Sequence, residues 1–194
     1  MPRLLRLYLA GPDVFRPDAA EQGERLRRLC AAAGAEGLFP LHAEGVDIRR
    51  ACLEMLDTAD AVIANITPFR GTHMDPGTAF EIGYAEARGT PVFFWSADPR
   101  PLKERHPSGA DGRDGEGYLV EDWGKTENLM IVPDGRVVGA SAEEAIAEAV
   151  AALGFTVRNR DLQRRTRRAV VVALAVSLAA ALLAGTIANR LIGW

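Results

Sequence analysis

The sequence predicts an α/β fold over residues 4–153, with a doubly wound sheet of five parallel strands, and a separate helix at the C-terminal end. Short apolar runs alternate along the chain with longer segments whose apolar residues recur at helical spacing. The run Ala61–Ile66 ends at Thr67 and Pro68, as a buried strand does. Strands that are separated by helices form a parallel sheet covered on both faces.

The individual elements follow from local patterns. Leu26, Leu29 and Cys30 share one helical face, and Asp75-Pro76 is a helix start, because Asp caps free N–H groups and Pro lacks one. In chain order we predict strands over residues 4–10, 36–41, 61–66, 91–95 and 129–132, and helices over residues 18–35, 46–58, 75–85 and 142–153. This order indicates a flavodoxin-like sheet, with Gly11, Leu41, Thr67 and Ser96 at the carboxyl ends of its strands, where ligands bind.

An acidic pair stands at this edge of the predicted sheet. Glu81 follows Asp75 by about one and a half helical turns and has apolar neighbours. Gly77 and Ala85 are small and leave space around its carboxylate. A carboxylate on an inward face is either an ion-pair partner or a working group, because an idle buried charge is too costly.

Three separated motifs resemble the nucleoside 2-deoxyribosyltransferase family. The frame D-x-G-x-x-x-E-x-G-x-A is filled between Asp75 and Ala85. Tyr8–Phe15 is similar to the first strand and turn of that family, and residues 120–124 with Asn128–Ile131 are similar to its E-D-x-G and N-L-M segment. The resemblance covers residues 4–153, and we assign residues 1–155 to a catalytic domain.

The resemblance implies a mechanism and a catalytic set. Glu81 is expected to be the nucleophile that captures the sugar as a covalent glycosyl ester, as in retaining glycosidases. Asp75 is expected to bind the base or sugar and to handle a proton, and Tyr8 to hold the rotamer of Glu81. The implied reaction moves 2-deoxyribose between nucleobases, with a deoxynucleoside and a free nucleobase as partners and no cofactor.

The resemblance also implies substrate-binding residues. These are Gly11, Glu44, Gly77, Asn128 and Met130. Because the family delivers the Asn of N-L-M to an adjacent protomer, Asn128 predicts a homo-oligomer with shared sites. Two departures bear on base preference. Cys52 replaces an acidic or amide side chain, and Pro40-Leu41-His42-Ala43 replaces P-L-D-N.

Two other functions stay open at this stage. One is an N-hydrolase of deoxynucleosides or of their 5′-phosphates, in which water attacks the glycosyl ester. Arg70, Arg100 and Arg113 are the candidates for a phosphate contact. The other is a sensor that binds a nucleoside or nucleotide without turnover. Residues 97–127 are too long for an ordinary connection, so we expect either a surface insertion or a lid over the site.

Composition restricts the partners. Residues 1–157 hold 16 basic and 25 acidic side chains, net −9, so this part of the chain is a poor binder of nucleic acid. The two cysteines are typical of a reduced protein with small core residues. His42, His73 and His106 show no metal-ligand spacing, and no metal site is predicted.

The C-terminal segment has the opposite charge. Residues 158–194 hold 7 basic and one acidic side chain, and residues 169–189 carry no charge. This pattern predicts a basic juxtamembrane linker over residues 156–168 and a transmembrane helix over residues 169–189. The protein is then expected to be a single-pass, tail-anchored membrane protein with a lipid partner, its catalytic domain facing the cytoplasm. The alternative is an oligomerising or docked helix.

Overall fold

The computed structural model describes the backbone of residues 3–41 and 47–192, and their side chains except for residues 155–162, 181–183 and 185–192. Five strands lie in one sheet: β1 (Leu5–Ala10), β2 (Ala35–Leu38), β3 (Ala61–Asn65), β4 (Val92–Trp95) and β5 (Val138–Gly139). The helices are α1 (Ala19–Ala32), α2 (Ile48–Thr58), α3 (Pro76–Ala87), α4 (Leu102–Arg105) and α5 (Ala142–Ile192), and Pro12–Phe15 form a 3-10 helix.

The strand order is β2-β1-β3-β4-β5, and every neighbouring pair is parallel. This is the flavodoxin-like order, so the predicted five-stranded parallel α/β fold is confirmed. After β1 the chain moves to one side of the sheet for β2 and then to the other side for β3. The carboxyl ends of β1 and β3 therefore flank the crevice in which such sheets bind ligands.

Strand β3 lies at the centre of the sheet, and all five of its residues are buried. Its side chains pack with those of β1, β4 and α3 in one core cluster that includes Tyr8, Ile82 and Phe94. Burial on both faces explains why β3 is a continuous apolar run, while α3 contributes an apolar stripe. The core fixes the two elements that carry the acidic pair.

The last strand differs from the prediction. Residues 129–132 do not form a strand, because the N–H groups of Ile131 and Val132 both donate to the carbonyl of Asn128, at 2.8 and 3.1 Å. These bonds close a turn and leave the backbone unable to join the ladder. The fifth strand is the two-residue Val138–Gly139, which pairs with Phe94 and Trp95.

Helix α5 contains both the helix predicted over residues 142–153 and the C-terminal segment. The chain divides into two compact units, one of Leu4–Gly154 and one of Met1–Arg3 with Phe155–Trp194. In the second unit, the described side chains of residues 163–180 are exposed.

The prediction of a membrane span is corrected. Within the described residues, no helix is long and apolar enough to cross a membrane. Within the predicted span over residues 169–189, the side chains of residues 181–183 and 185–189 lie outside the described part of the chain. The tail-anchored membrane localisation and the lipid partner are withdrawn with it.

Candidate active site

The site begins where β1 and β3 end side by side. Gly11 follows β1, and a Cβ atom built on it would lie 2.7 Å from the Cβ of Asn65, the last residue of β3. That distance is shorter than any real Cβ contact, so only glycine lets the two strand ends approach this closely. The predicted site residue Gly11 therefore shapes the crevice between the two strands.

A buried polar network fills the floor of this crevice. Asp13 is 6% exposed, and its carboxylate accepts hydrogen bonds from Asn65 Nδ2 at 2.8 Å and Gln22 Nε2 at 3.0 Å. Asn65 Oδ1 accepts in turn from the Thr67 hydroxyl at 2.5 Å. Each group has partners, so the network holds the strand ends rigidly rather than offering a free charge.

The acidic pair lies on α3. Asp75 caps this helix, and its Oδ2 accepts from the backbone N–H and the hydroxyl of Thr78, at 2.8 and 3.1 Å. Pro76 follows at the first helical position, as its missing N–H allows. A Cβ atom on Gly77 would lie 2.9 Å from Asp75 Oδ2, so this glycine keeps the space in which the carboxylate sits.

Tyr8 and Glu81 form the closest contact of the site. The hydroxyl of the fully buried Tyr8 donates to Glu81 Oε1 at 2.5 Å. Burial raises the pKa of Glu81 to about 7, the bond from Tyr8 opposes this rise, and the charge of Asp75 adds to it. Burial also raises the pKa of Tyr8, so its hydroxyl keeps its proton and acts as the donor. A carboxyl group in a cleft with a raised pKa is a candidate functional group.

Cys52 of α2 lies beside the Tyr8 hydroxyl. Its half-buried side chain packs against the core cluster that contains Tyr8, and its thiol interacts with the Tyr8 hydroxyl. Burial raises the pKa of this thiol, and the charge of Glu81 raises it further. Cys52 is therefore a neutral thiol, and it lacks the lowered pKa of a reactive cysteine nucleophile.

Asn128 and Met130 lie in the turn after the long segment. The Asn128 amide donates to Glu121 Oε1, and its own oxygen accepts from the N–H of Met130 at 2.8 Å. The Met130 side chain is 76% exposed. Within the single chain these two residues are held by their own loop, whereas Tyr8, Asp75 and Glu81 are grouped together. Glu44 and the neighbouring His42 lie outside the described residues.

Four buried polar residues near the site were not predicted from the sequence: Asp13, Asn65, Thr78 and Glu127. For Asn65 a signal existed, because an amide at the end of an otherwise apolar strand is unusual at a fully buried position. Glu127 gave no such signal, because two of its partners, the His73 side chain and the Met74 N–H, belong to a loop more than fifty residues away.

Two aromatic rings, of the exposed Phe15 and the half-buried Phe69, lie beside the crevice. Phe15 and Phe69 stack with ring centroids 5.3 Å apart, and the guanidinium of Arg70 lies over both rings, 5.3 and 4.6 Å from their centroids. Arg70 also has a positive φ of 54°, which costs a non-glycine residue conformational energy. Arg100 is paired with Asp98 at 2.7 Å, and Arg113 donates to the Gly117 carbonyl at 2.8 Å.

In the described part of the chain, no group of three or more His, Cys, Asp or Glu side chains could hold a metal ion.

The fold and the site define a class, that of doubly wound α/β proteins with a carboxylate pair at the sheet's ligand-binding edge. Comparison with known proteins identifies the family: the nucleoside 2-deoxyribosyltransferase family matches residues 7–130. The chain belongs to this family and is an enzyme of the nucleoside deoxyribosyltransferase type.

Two relatives illustrate the match. The chain is 33% identical over 155 residues to an uncharacterized protein of Schizosaccharomyces pombe, which covers 64% of this chain and 74% of that protein. A solved structure of a 2-deoxyribosyltransferase from Leishmania mexicana is 37% identical and has a TM-score of 0.68. That match covers 76% of this chain and 97% of the other.

Proposed function

We propose that this protein transfers 2-deoxyribose between nucleobases through a covalent ester on Glu81. One observation carries the proposal. A half-buried carboxylate with a raised pKa is held by a 2.5 Å hydrogen bond from a buried tyrosine, beside a second carboxylate on the same helix. Family membership supports deoxyribose transfer in general, and the contacts of Glu81 support its assignment as the nucleophile.

The chemistry follows from the N-glycosidic bond. As this bond breaks, positive charge develops at C1′ and at the ring oxygen of the sugar, and a nearby carboxylate stabilises that charge. One oxygen of Glu81 attacks C1′, while the bonding electrons leave with the base nitrogen, which then takes a proton. A second base attacks C1′ in the reverse sense and releases the carboxylate.

Tyr8 prepares Glu81 for this attack. Its hydroxyl occupies Oε1 and fixes the rotamer, which leaves Oε2 to approach C1′. Asp75 has Oδ2 engaged by Thr78, and we assign its Oδ1 to a hydroxyl of the sugar or to the base. A fixed nucleophile and a fixed binding group reduce the entropy lost on reaching the transition state.

A second candidate is an N-hydrolase of deoxynucleoside 5′-phosphates, for which the position of Arg70 is the supporting observation. Of the three arginines considered for a phosphate contact, Arg100 and Arg113 are already engaged within the chain, while Arg70 stacks on two rings beside the crevice. A phosphate would bring two negative charges toward Asp75 and Glu81, and this repulsion favours the uncharged nucleoside as the main substrate.

We further propose that two copies of the chain complete each other's site through Asn128 and Met130. The support is a run of exposed apolar side chains in the same region. These are Tyr118, Leu119, Trp123, Leu129 and Met130, exposed by 69, 70, 64, 40 and 76%. Large apolar side chains grouped in one exposed segment are typical of protein interfaces.

The test is a product analysis with the full-length protein. The protein is incubated with a deoxynucleoside, with and without a second free base, and the products are separated by chromatography. We expect the new deoxynucleoside to appear when the second base is present. Release of free deoxyribose at the same rate with and without that base would identify a hydrolase. The Glu81→Gln variant serves as the inactive control.

A further inference from the structure

One buried carboxylate joins the loop that leads into α3 to the loop that carries Asn128. Glu127 is 2% exposed. Its Oε2 accepts from the backbone N–H of Met74 at 2.9 Å, and its Oε1 accepts from the N–H of Asn128 at 3.0 Å. His73 Nδ1 lies 2.7 Å from the same Oε1. Three polar partners therefore surround a carboxylate that water does not reach, which is the condition for keeping such a charge buried.

Arg105 joins the same two loops through their carbonyl groups. Its Nη1 donates to the carbonyl of Thr72 at 2.5 Å, and its Nη2 donates to the carbonyl of Thr126. Glu127 thus accepts from N–H groups of both loops, and Arg105 donates to C=O groups of both loops. We call these two side chains the loop clamp. Bonds from charged side chains to backbone groups are among the stronger hydrogen bonds in proteins.

The loop clamp acts next to two predicted site residues. Met74 is joined by one peptide bond to Asp75, and Asn128 directly follows Glu127. One carboxylate therefore holds the peptide unit that joins His73 to Met74, one residue before Asp75, and the peptide unit that joins Glu127 to Asn128. A backbone hydrogen bond from the Phe69 N–H to the His73 carbonyl, at 2.8 Å, lies within the loop that leads into α3.

We propose that Glu127 and Arg105 are positioning residues for the deoxyribosyl reaction, which act by setting Asp75 in place for the substrate. This inference rests on the proposed function. The loop clamp ties the start of α3 to the long segment of residues 97–127, so this segment carries part of the active-site scaffold. A displacement of about 1 Å in a catalytic group is enough to lower a rate by about 100-fold.

The experiment compares Glu127→Gln and Arg105→Met with a control, Glu116→Gln, whose exposed side chain lies in the same segment. We expect each clamp variant to lower kcat/KM by about 10- to 100-fold, and the control to stay within about twofold of wild type. In an Asp75→Asn background, the same clamp substitutions should cost less than about threefold, because residues that act through one another are not additive.

Two outcomes of the kinetics overturn the proposal. One is activity within about twofold of wild type in both clamp variants. The other is an equal loss in the wild-type and Asp75→Asn backgrounds, because a purely structural role lowers the amount of folded protein regardless of Asp75. Arg105→Met provides the second route if Glu127→Gln does not fold.

Amide hydrogen exchange tests the loop clamp independently of activity. In both clamp variants, peptides that cover residues 70–80 and 124–132 should exchange faster together, and in Glu116→Gln neither should change. Faster exchange in one peptide alone contradicts the proposed link. If wild type shows neither transfer nor hydrolysis, the proposed function fails, and the exchange measurement still decides whether the loops are coupled.

Discussion

At the scale of single residues, the protonation of Glu81 decides when it can act. A carboxylic acid is a poor nucleophile, and burial raises the pKa of Glu81 to about 7. The deprotonated form therefore becomes dominant only above this pH. Tyr8 opposes the rise, because its hydrogen bond stabilises the carboxylate.

The first prediction concerns pH dependence. The acidic limb of the kcat/KM profile should rise through about pH 7, since this limb reports the free enzyme. Tyr8→Phe removes the hydrogen bond to the Glu81 carboxylate, and a bond to a charged group is worth about 1.5–3 kcal/mol. The pKa of Glu81 should therefore rise, and the acidic limb should shift to higher pH by about one to two units. A profile that is flat from pH 5 to 8, or a limb that Tyr8→Phe leaves in place, contradicts the assignment.

The second prediction concerns stability. Because the pKa of Glu81 is about 7 in the folded state and 4.5 in its reference state, the ionised side chain opposes folding above pH 7. Glu81→Gln removes this charge and should stabilise the protein by about 1–3 kcal/mol at pH 8. The gain should shrink as the pH falls from 7 toward 4.5. Thermal denaturation measures it, and equal gains at pH 5 and pH 8 would exclude a charge effect.

At the scale of elements, α3 places both carboxylates on one helix. Asp75 caps it, and Glu81 projects from its second turn toward Tyr8 of β1. The small residues of α3 have different surroundings. A Cβ atom on Gly77 would meet Asp75 Oδ2 at 2.9 Å, whereas one on Gly83 would meet nothing within 4 Å.

The third prediction uses these two glycines as a matched pair. Gly77→Ala should push the Asp75 carboxylate aside and lower kcat/KM by about 10- to 100-fold. Gly83→Ala should leave activity unchanged and stabilise the protein by up to about 1 kcal/mol, because alanine is the better helix former. The assay is steady-state kinetics with thermal denaturation as the folding control. Equal activity in the two variants would contradict the role given to Gly77.

Local patterns predicted the elements that enclose the site. The apolar run of β3 and the Asp75-Pro76 start of α3 are both local signals, and the structure contains both elements. The fifth strand was placed at residues 129–132 because those side chains favour strands, but the turn at Asn128 uses up their N–H groups. A two-residue strand such as β5 is too short to show an apolar period.

The same distinction between local patterns and long-range contacts applies to the residues of the site. The acidic pair was predictable because the two residues lie six positions apart on one helix, whereas Tyr8, 73 positions from Glu81, was assigned through the family resemblance. The contacts of Glu127 and Arg105 join loops that are distant in sequence, and no single-sequence pattern reports such pairs. The apolar run of residues 169–189 was over-interpreted, because length and low charge alone suggested a membrane span.

At the scale of the whole molecule, the proposal that two copies complete each other's site rests on the exposed Met130 and the apolar side chains of the same region. The fourth prediction follows. Glu81→Ala and Asn128→Ala should each be inactive, and mixing them should restore part of the activity, because a mixed pair can contain one site with both side chains intact. No rescue in oligomers shown to be mixed would place Asn128 in its own chain's site or outside catalysis.

The central claim is that Glu81 forms a bond to the sugar, and mass spectrometry tests it most directly. A 2′-fluoro-2′-deoxynucleoside destabilises the charged transition state and slows turnover, so the glycosyl ester should accumulate. We expect the peptide that contains Glu81 to gain the mass of the fluorinated sugar, and the Glu81→Gln protein to gain nothing. An adduct on the peptide that contains Cys52, or full activity in Glu81→Gln, would contradict the account.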